Sequence, residues 1–363
     1  MNINAFKKEV NKALLGHNKG IPFTISSLTN LTGGILKGYG YLIMGPSKTG
    51  KTSFMYEEFI FNLIDKVISG ELKEEDVRIV LYSMEMNDLM FLYKASARWT
   101  YFNQTFEGRP ILTDTKQLSG AYGSPPSILA EIMQSCELED YLNLVSRIVV
   151  FLTETTPTTL FNFVASDCIK ISSAIGKDES GKLKYQFNNP NLLYIVALDH
   201  MSLVLKDAGT NGEVKTIIDD TSTYLRRLKN GFGITYAMLQ QITPPPNQGG
   251  IKKLTLGHAE LRDSKNTFQD TDFCFSLGSP FHDNIKAVNY KGGVYHVMPD
   301  EDNGGVGLAD RLRLISVEKD RYGVSSVRVA AGYIGEIGLF RDIPAPDVIN
   351  YNLFESIKAT WQQ

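Results

Sequence analysis

Residues 45–52 read Gly-Pro-Ser-Lys-Thr-Gly-Lys-Thr, and no other stretch of the chain restricts its fold so tightly. Gly45 and Gly50 let the backbone curl until successive N–H groups converge on one point. Just before them, Tyr41-Leu42-Ile43-Met44 is a short apolar run with strand character, and Lys51 to Ile64 reads as a helix. A helix beginning at Lys51 offers unsatisfied N–H groups and a positive dipole end to an anion. Lys51 is then placed to reach the β- and γ-phosphates of a nucleoside triphosphate, and the Thr52 hydroxyl suits Mg²⁺. Gly45, Pro46, Ser47, Lys48, Thr49, Gly50, Lys51, Thr52 and Ser53 form the expected nucleotide cradle. Chance produces glycine-rich turns, but seldom between a strand and a helix.

From about Ile25 the chain alternates strands with helices. Val77 to Ser83, Arg147 to Leu152, Leu192 to Leu198, Gly233 to Leu239 and Phe273 to Leu277 are apolar segments of strand length. Nearly continuous apolar strands separated by helices predict an α/β fold with a mostly parallel sheet covered on both faces. Ser279 to Asp310, rich in Gly, Asp and Asn, reads as a long irregular insertion. Arg311 to Val317 and Ser325 to Ala330 follow as a C-terminal β-hairpin, and Val348 to Trp361 as a terminal helix. At the other end, Asn4 to Leu15 reads as a short amphipathic helix with Phe6, Val10, Ala13 and Leu14 near one face. Such a helix needs a partner for that face, in its own domain or in a neighbouring subunit. His17 to Gly20 reads as a linker. The division expected is 1–22 for the N-terminal helix and linker, 23–345 for the ATPase domain, and 346–363 for the C-terminal helix.

Composition narrows the functional classes. The net charge of −3 provides no global field for polyanions, so a nucleic-acid site has to be local, in loops lining a groove or channel. The three cysteines, Cys136, Cys168 and Cys274, lie far apart without metal-ligand spacing, which fits a reducing compartment. No apolar run approaches the roughly 20 residues that span a bilayer, and the N-terminus lacks a secretory signal. A cytoplasmic protein without a membrane partner is expected.

Three further groups stand where strands of such a sheet end, the edge at which ligands bind. Asp199 closes Leu193 to Leu198 and could organise Mg²⁺, or could simply cap a turn. Glu85, just past Val77 to Ser83, could accept a proton from the attacking water, or cap the helix over Leu89 to Ala97. Gln240 and Gln241 end the strand after Gly233. An amide there can hydrogen-bond a γ-phosphate, or be no more than a polar strand end.

In this order the motifs resemble those of the DnaB-like replicative helicases, hexameric RecA-fold motors of bacteria and phages. The resemblance rests on Gly45 to Thr52, Tyr82-Ser83-Met84-Glu85-Met86, Leu198-Asp199-His200-Met201-Ser202, Leu239-Gln240-Gln241, Glu260-Leu261-Arg262-Asp263-Ser264, Gln269-Asp270-Thr271-Asp272 and Glu318-Lys319-Asp320-Arg321-Tyr322-Gly323. It runs from about Ile25 to Phe340, and Leu198-Asp199-His200 with Ser202 is similar to the phage primase-helicases. The resemblance implies an ATP- and Mg²⁺-dependent DNA helicase. Lys51 and Thr52 would be phosphate and Mg²⁺ ligands, Asp199 the Mg²⁺ carboxylate, Glu85 the catalytic base and Gln241 the γ-phosphate sensor. Arg321 would be an arginine finger with Lys319 as its companion, both reaching ATP on an adjacent subunit of a homo-hexamer. Single-stranded DNA would meet a first loop at about Lys206 to Val214 and a second from Pro244 to about Gly257 bearing Lys252 and Lys253, followed by Arg262 and Lys265. A primase or a helicase loader is an implied partner.

The sequence departs from the family in places. Lys265 and Asn266 stand where a glycine and a small residue are usual, so a side chain would replace backbone phosphate contacts there. No segment matches the N-terminal helical domain of bacterial members, nor a primase module. The helix at Asn4 to Leu15 is the remaining candidate for an element that packs on a neighbouring protomer. Two other readings fit the same motifs: a RecA-type filament-forming DNA-binding ATPase, and a structural or loader ATPase that does not unwind.

Overall fold

Strand β1 (Gly40–Gly45) is buried along its whole length, and its side chains alternate between two separate cores. Tyr41 and Ile43 enter one, Leu42 and Met44 the other. The same alternation holds for β2 (Val77–Ser83) and β4 (Leu193–Asp199), which explains why these segments read as unbroken apolar runs. Each fully buried Ile, Leu or Val contributes roughly 1.5–3 kcal/mol, so a sheet covered on both faces is heavily favoured. The computed structural model describes residues 19–177, 183–209, 213–242, 264–298, 307–323 and 325–349, with residues 3, 7, 10, 11, 14, 181 and 261.

With β3 (Val149–Leu152), β5 (Thr235–Gln241), β6 (Phe273–Gly278), β7 (Leu312–Asp320), β8 (Val327–Ile334) and β9 (Leu339–Asp342), these strands form one nine-stranded sheet in the order β9-β8-β7-β6-β1-β5-β4-β2-β3. The run from β6 to β3 is parallel, and β7, β8 and β9 extend it antiparallel past β6. One face carries the helix Lys51–Tyr56, which continues through a π-helical turn at Glu57–Phe61 into Asn62–Ile68, together with Asp88–Asn103 and Cys136–Ile148. Pro157–Lys170 and Val214–Phe232 cover the opposite face. This is the α/β architecture expected from the strand–helix alternation, a mostly parallel sheet covered on both faces.

The expectation of an irregular segment over Ser279 to Asp310 is corrected. Ala287–Tyr290 and Gly293–His296 pair as a hairpin, and Val288, Tyr295, Val297 and Leu308 build a third small core against Leu312, Leu314 and Ala330. Lys291 and Gly292 both adopt positive φ, 46° and 83°, the geometry of a two-residue hairpin turn. The surrounding glycines and acids mask a short period-two pattern in the sequence. The C-terminal hairpin is also larger than expected, because Leu339–Asp342 adds a third antiparallel strand. Another hairpin, Ser172–Lys177 with Leu183–Phe187, was not anticipated at all.

Of Asn4 to Leu15, only Lys7, Val10, Asn11 and Leu14 are among the described residues, and all four are helical and exposed. The segments Pro244 to Pro246 and Val348 to Trp361 lie outside them, apart from Val348 and Ile349. Among the described residues no helix is long and apolar enough to cross a membrane.

Candidate nucleotide-binding and catalytic site

Register brings the site together. Gly45 at the end of β1 lies opposite Gln241 at the end of β5, and Asp199 at the end of β4 lies opposite Ser83 at the end of β2. Glu85 follows Ser83 by two residues. The parallel sheet thus delivers residues far apart in sequence to one row along its C-terminal edge, above a cleft of about 300 Å³.

The glycine loop forms one wall. A Cβ on Gly45 would lie 2.6 Å from the Leu277 carbonyl oxygen, so only glycine fits, and Gly50 turns the chain at φ +90° into the helix. Lys51 spans the loop, its Nζ donating to the Pro46 carbonyl at 2.7 Å. Burial pushes its ammonium down to about 8 even though Glu85 and Asp199 pull it the other way. Thr52 Oγ1 donates to Asp199 Oδ1 at 3.1 Å, and Tyr56 Oη donates to Oδ2 at 3.2 Å. Asp199 is completely buried, and burial, reinforced by Glu85, pushes its carboxyl up to about 6. Lys94, mostly buried with its ammonium 5.3 Å from the centre of the Tyr56 ring, is a further cation acting on Asp199.

A buried carboxylate beside a threonine hydroxyl, held mainly by neutral hydroxyls, is an oxygen donor set short of positive charge. That set suits Mg²⁺, which takes one or two protein oxygens and completes its shell with water and phosphate. The described residues contain no cluster of three or more acidic, histidine or cysteine side chains of the kind that would cage a metal without a nucleotide.

Glu85 faces the cleft. Capping does not account for it, because Asn87 caps the following helix, its Oδ1 accepting from the Met90 N–H at 2.9 Å. The two glutamines separate cleanly. Gln241 Nε2 donates to Ser47 Oγ at 2.6 Å, against the glycine loop. Gln240 is buried and turned away, donating to the Ser264 carbonyl at 2.9 Å and accepting from Thr267 Oγ1. Its partners bracket Lys265, which is exposed, as is Lys206. Lys252, Lys253 and Arg262 lie outside the described residues.

Lys319 and Arg321 are not brought into this cleft. β7 runs antiparallel to β6, so Asp320 pairs with Phe273, level with Tyr41 at the opposite edge of the sheet. Four residues of strand separate that level from Gly45, about 13 Å. Lys319 Nζ donates to the carbonyls of Phe268, at 2.5 Å, and Thr271, at 2.7 Å, while Arg321 lies 3.3 Å from Asp272 and remains more exposed.

Sequence reasoning missed Arg313, Tyr333 and His200. Arg313 is fully buried, donates from Nε to the Thr49 carbonyl at 3.1 Å, pairs with Asp310 at 2.9 Å and lies 4.2 Å from the centre of the Tyr333 ring. Tyr333 lines the cleft beside Ser53, the two hydroxyls 3.4 Å apart. The antiparallel extension therefore buttresses the glycine loop from behind. Arg313 is 264 positions from Thr49, and no local pattern could have linked them.

No family model and no curated protein matches the sequence. Among solved structures, the chain is similar to the ATPase domain of G40P, with a TM-score of 0.66 at 16% identity, covering 94% of this chain and 99% of that one. It is also similar to a DnaB-like replicative helicase studied for its interactions with primase, with a TM-score of 0.64 at 16% identity, covering 95% of this chain and 67% of that one. The fold is that of the ATPase domains of DnaB-like helicases.

Proposed function

We propose that the chain is the ATP-hydrolysing motor of a replicative DNA helicase, acting as a hexameric ring that translocates on single-stranded DNA. One observation carries this reading: Lys51, Thr52, Asp199, Glu85 and Gln241 meet in a single row at the strand-end edge of a helicase-type ATPase fold. In this reading Gly45 to Ser53 hold the phosphates, Thr52 and Asp199 hold Mg²⁺, Glu85 takes the proton of the attacking water and Gln241 senses the γ-phosphate. Arg321, with Lys319, serves the nucleotide of the adjacent subunit, in keeping with its distance from the cleft of its own chain. Lys206, Lys252, Lys253, Arg262 and Lys265 contact the DNA backbone. A primase, or a helicase loader, is the natural protein partner, since the similar helicase was studied with primase.

The test is steady-state ATP hydrolysis with and without single-stranded DNA, paired with oligomeric mass under the same conditions. Hydrolysis stimulated by DNA, rings of six and loss of turnover in Lys51→Ala are expected. Arg321→Ala is expected to bind nucleotide normally and hydrolyse it poorly. Open helical filaments on DNA would point instead to a strand-exchange type of ATPase, and hydrolysis without strand separation to a loader.

A further inference from the structure

His200 follows Asp199 in a backbone conformation that a side chain seldom adopts, φ 73° and ψ 83°. Strain of this kind costs about 1–3 kcal/mol and persists where the surroundings enforce it. Here the result is an imidazole that lines the nucleotide cleft at the end of β4, only 13% exposed, facing the neighbouring strand end. Its Nε2 lies 3.6 Å from Glu85 Oε1, and its Nδ1 lies 2.9 Å from Ser202 Oγ. Ser202 belongs to the single 3₁₀ turn Met201–Leu203, which buried Met201 anchors. Among the described residues no other ion pair and no hydrogen bond holds the Glu85 carboxylate.

A carboxylate only accepts hydrogen bonds, so the nitrogen facing Glu85 carries the ring proton. In that tautomer Nδ1 is the acceptor, and Ser202 donates to it. A ring nitrogen is commonly oriented by the hydrogen bond its other nitrogen makes. The gap of 3.6 Å exceeds an ordinary N–H···O contact by about 0.6 Å, which a small rotation of the half-exposed Glu85 side chain closes.

We infer that His200 is the positioning residue for Glu85, with Ser202 fixing the ring so that Nε2–H holds one carboxylate oxygen. The other oxygen is left free to take a proton from water as the water oxygen bonds to the γ-phosphorus and the bond to the β-phosphate oxygen breaks. This inference rests on the reading of the site as an ATPase. Neither residue needs to touch nucleotide.

The experiment compares wild-type chain with His200→Asn, His200→Gln and Ser202→Ala. It measures ATP turnover in the presence of an oligo-dT strand, and the affinity for a fluorescent ATP analogue. Asparagine tolerates the left-handed backbone but is too short to reach Glu85, whereas glutamine restores an N–H at that reach. His200→Asn is expected to lower kcat by about 10- to 100-fold with KM and analogue affinity within about threefold of wild type. Glutamine should recover most of the loss, and Ser202→Ala should fall between. Wild-type turnover in His200→Asn overturns the inference. So does equal slowness of Asn and Gln, which would assign His200 only to the shape of the turn. Ser202→Ala leaves the strained residue in place and so tests the ring's orientation even if His200→Asn folds poorly. A wild-type chain that binds the analogue but never hydrolyses ATP fails differently, overturning the ATPase reading and the inference with it.

Discussion

Asp199 and Asp272 are both buried aspartates at the ends of the same parallel strand group, and they are held in opposite ways. Asp272, just before β6, meets the Lys229 ammonium at 2.7 Å, Arg321 at 3.3 Å and the Gly40 N–H at 2.8 Å. Asp199, at the far edge, is hydrogen-bonded by two neutral hydroxyls and shares its surroundings with a second acid, Glu85. The first arrangement is complete within the chain. The second leaves a buried negative charge undercompensated, which proteins tolerate where a cation is to be bound. Both aspartates are buried, and what distinguishes them is the counter-charge around each.

Exchanging each carboxylate for its amide should separate the two roles. In the proposed site Asp199→Asn removes the charge that would organise Mg²⁺, and it is expected to lower ATP turnover by roughly 100- to 1000-fold, about 3–4 kcal/mol of transition-state stabilisation. Its unfolding free energy without nucleotide should stay within about 1 kcal/mol of wild type. Asp272→Asn should instead destabilise the chain by about 3–5 kcal/mol, since it leaves the largely buried Lys229 without its counter-charge. Urea unfolding read alongside phosphate release checks both. Equal destabilisation by the two substitutions would break the comparison.

The same contrast recurs past the glycine loop, where it becomes a pH dependence. Glu57 accepts from Arg98 Nε at 2.8 Å and Nη2 at 2.9 Å, whereas among the described residues Glu58 is hydrogen-bonded by the Thr24 N–H and hydroxyl. Burial, opposed by those two hydrogen bonds, pushes the Glu58 carboxyl up to about 8. The folded chain then binds this proton more tightly than the unfolded chain, which releases it in the ordinary carboxylate range. Stability from this group is full below about pH 4.5, falls as pH rises toward 8, and is level above that, a change of up to about 5 kcal/mol. Glu58→Gln should flatten the slope, and the difference between the two unfolding profiles from pH 5 to 8 measures it. Parallel profiles would show that Glu58 ionises normally.

What the sequence revealed follows the range over which each feature is encoded. The glycine loop, Glu85, Asp199 and Gln241 are each announced by a few neighbours and by a strand that ends beside them. In a parallel sheet the ends of the strands share one edge, so a common site for these residues could be anticipated, though not the order of the strands. Arg313 could not, because its meaning lies in reaching the Thr49 carbonyl from a strand near the other end of the chain. The hairpin at Ala287 to His296 escaped for a different reason: the Gly-, Asp- and Asn-rich composition of the stretch around it hides its short alternating pattern, which finds its core only where Leu312 and Leu314 pack against it. His200 was visible as part of a motif, yet its left-handed backbone and its approach to Glu85 are properties of the fold alone.

Gln240 and Gln241 give the finest test, since one residue separates a structural amide from one facing the cleft. Removing Gln240 leaves the buried Thr267 hydroxyl and Ser264 carbonyl with only the long 3.5 Å bond between them among the described residues, so Gln240→Ala should cost about 1–3 kcal/mol of stability. Among the described residues the Gln241 amide bonds Ser47 at the surface of the loop, and Gln241→Ala should leave stability within about 0.5 kcal/mol of wild type. Its effect should appear instead as a weaker response of ATP turnover to single-stranded DNA. Because Gln240 ties the end of β5 to the segment bearing Lys265, its loss should also blunt that response, but together with a lower melting temperature. Loss of DNA response in Gln241→Ala with melting unchanged is thus the outcome that assigns the sensing role to one amide and the tether to the other.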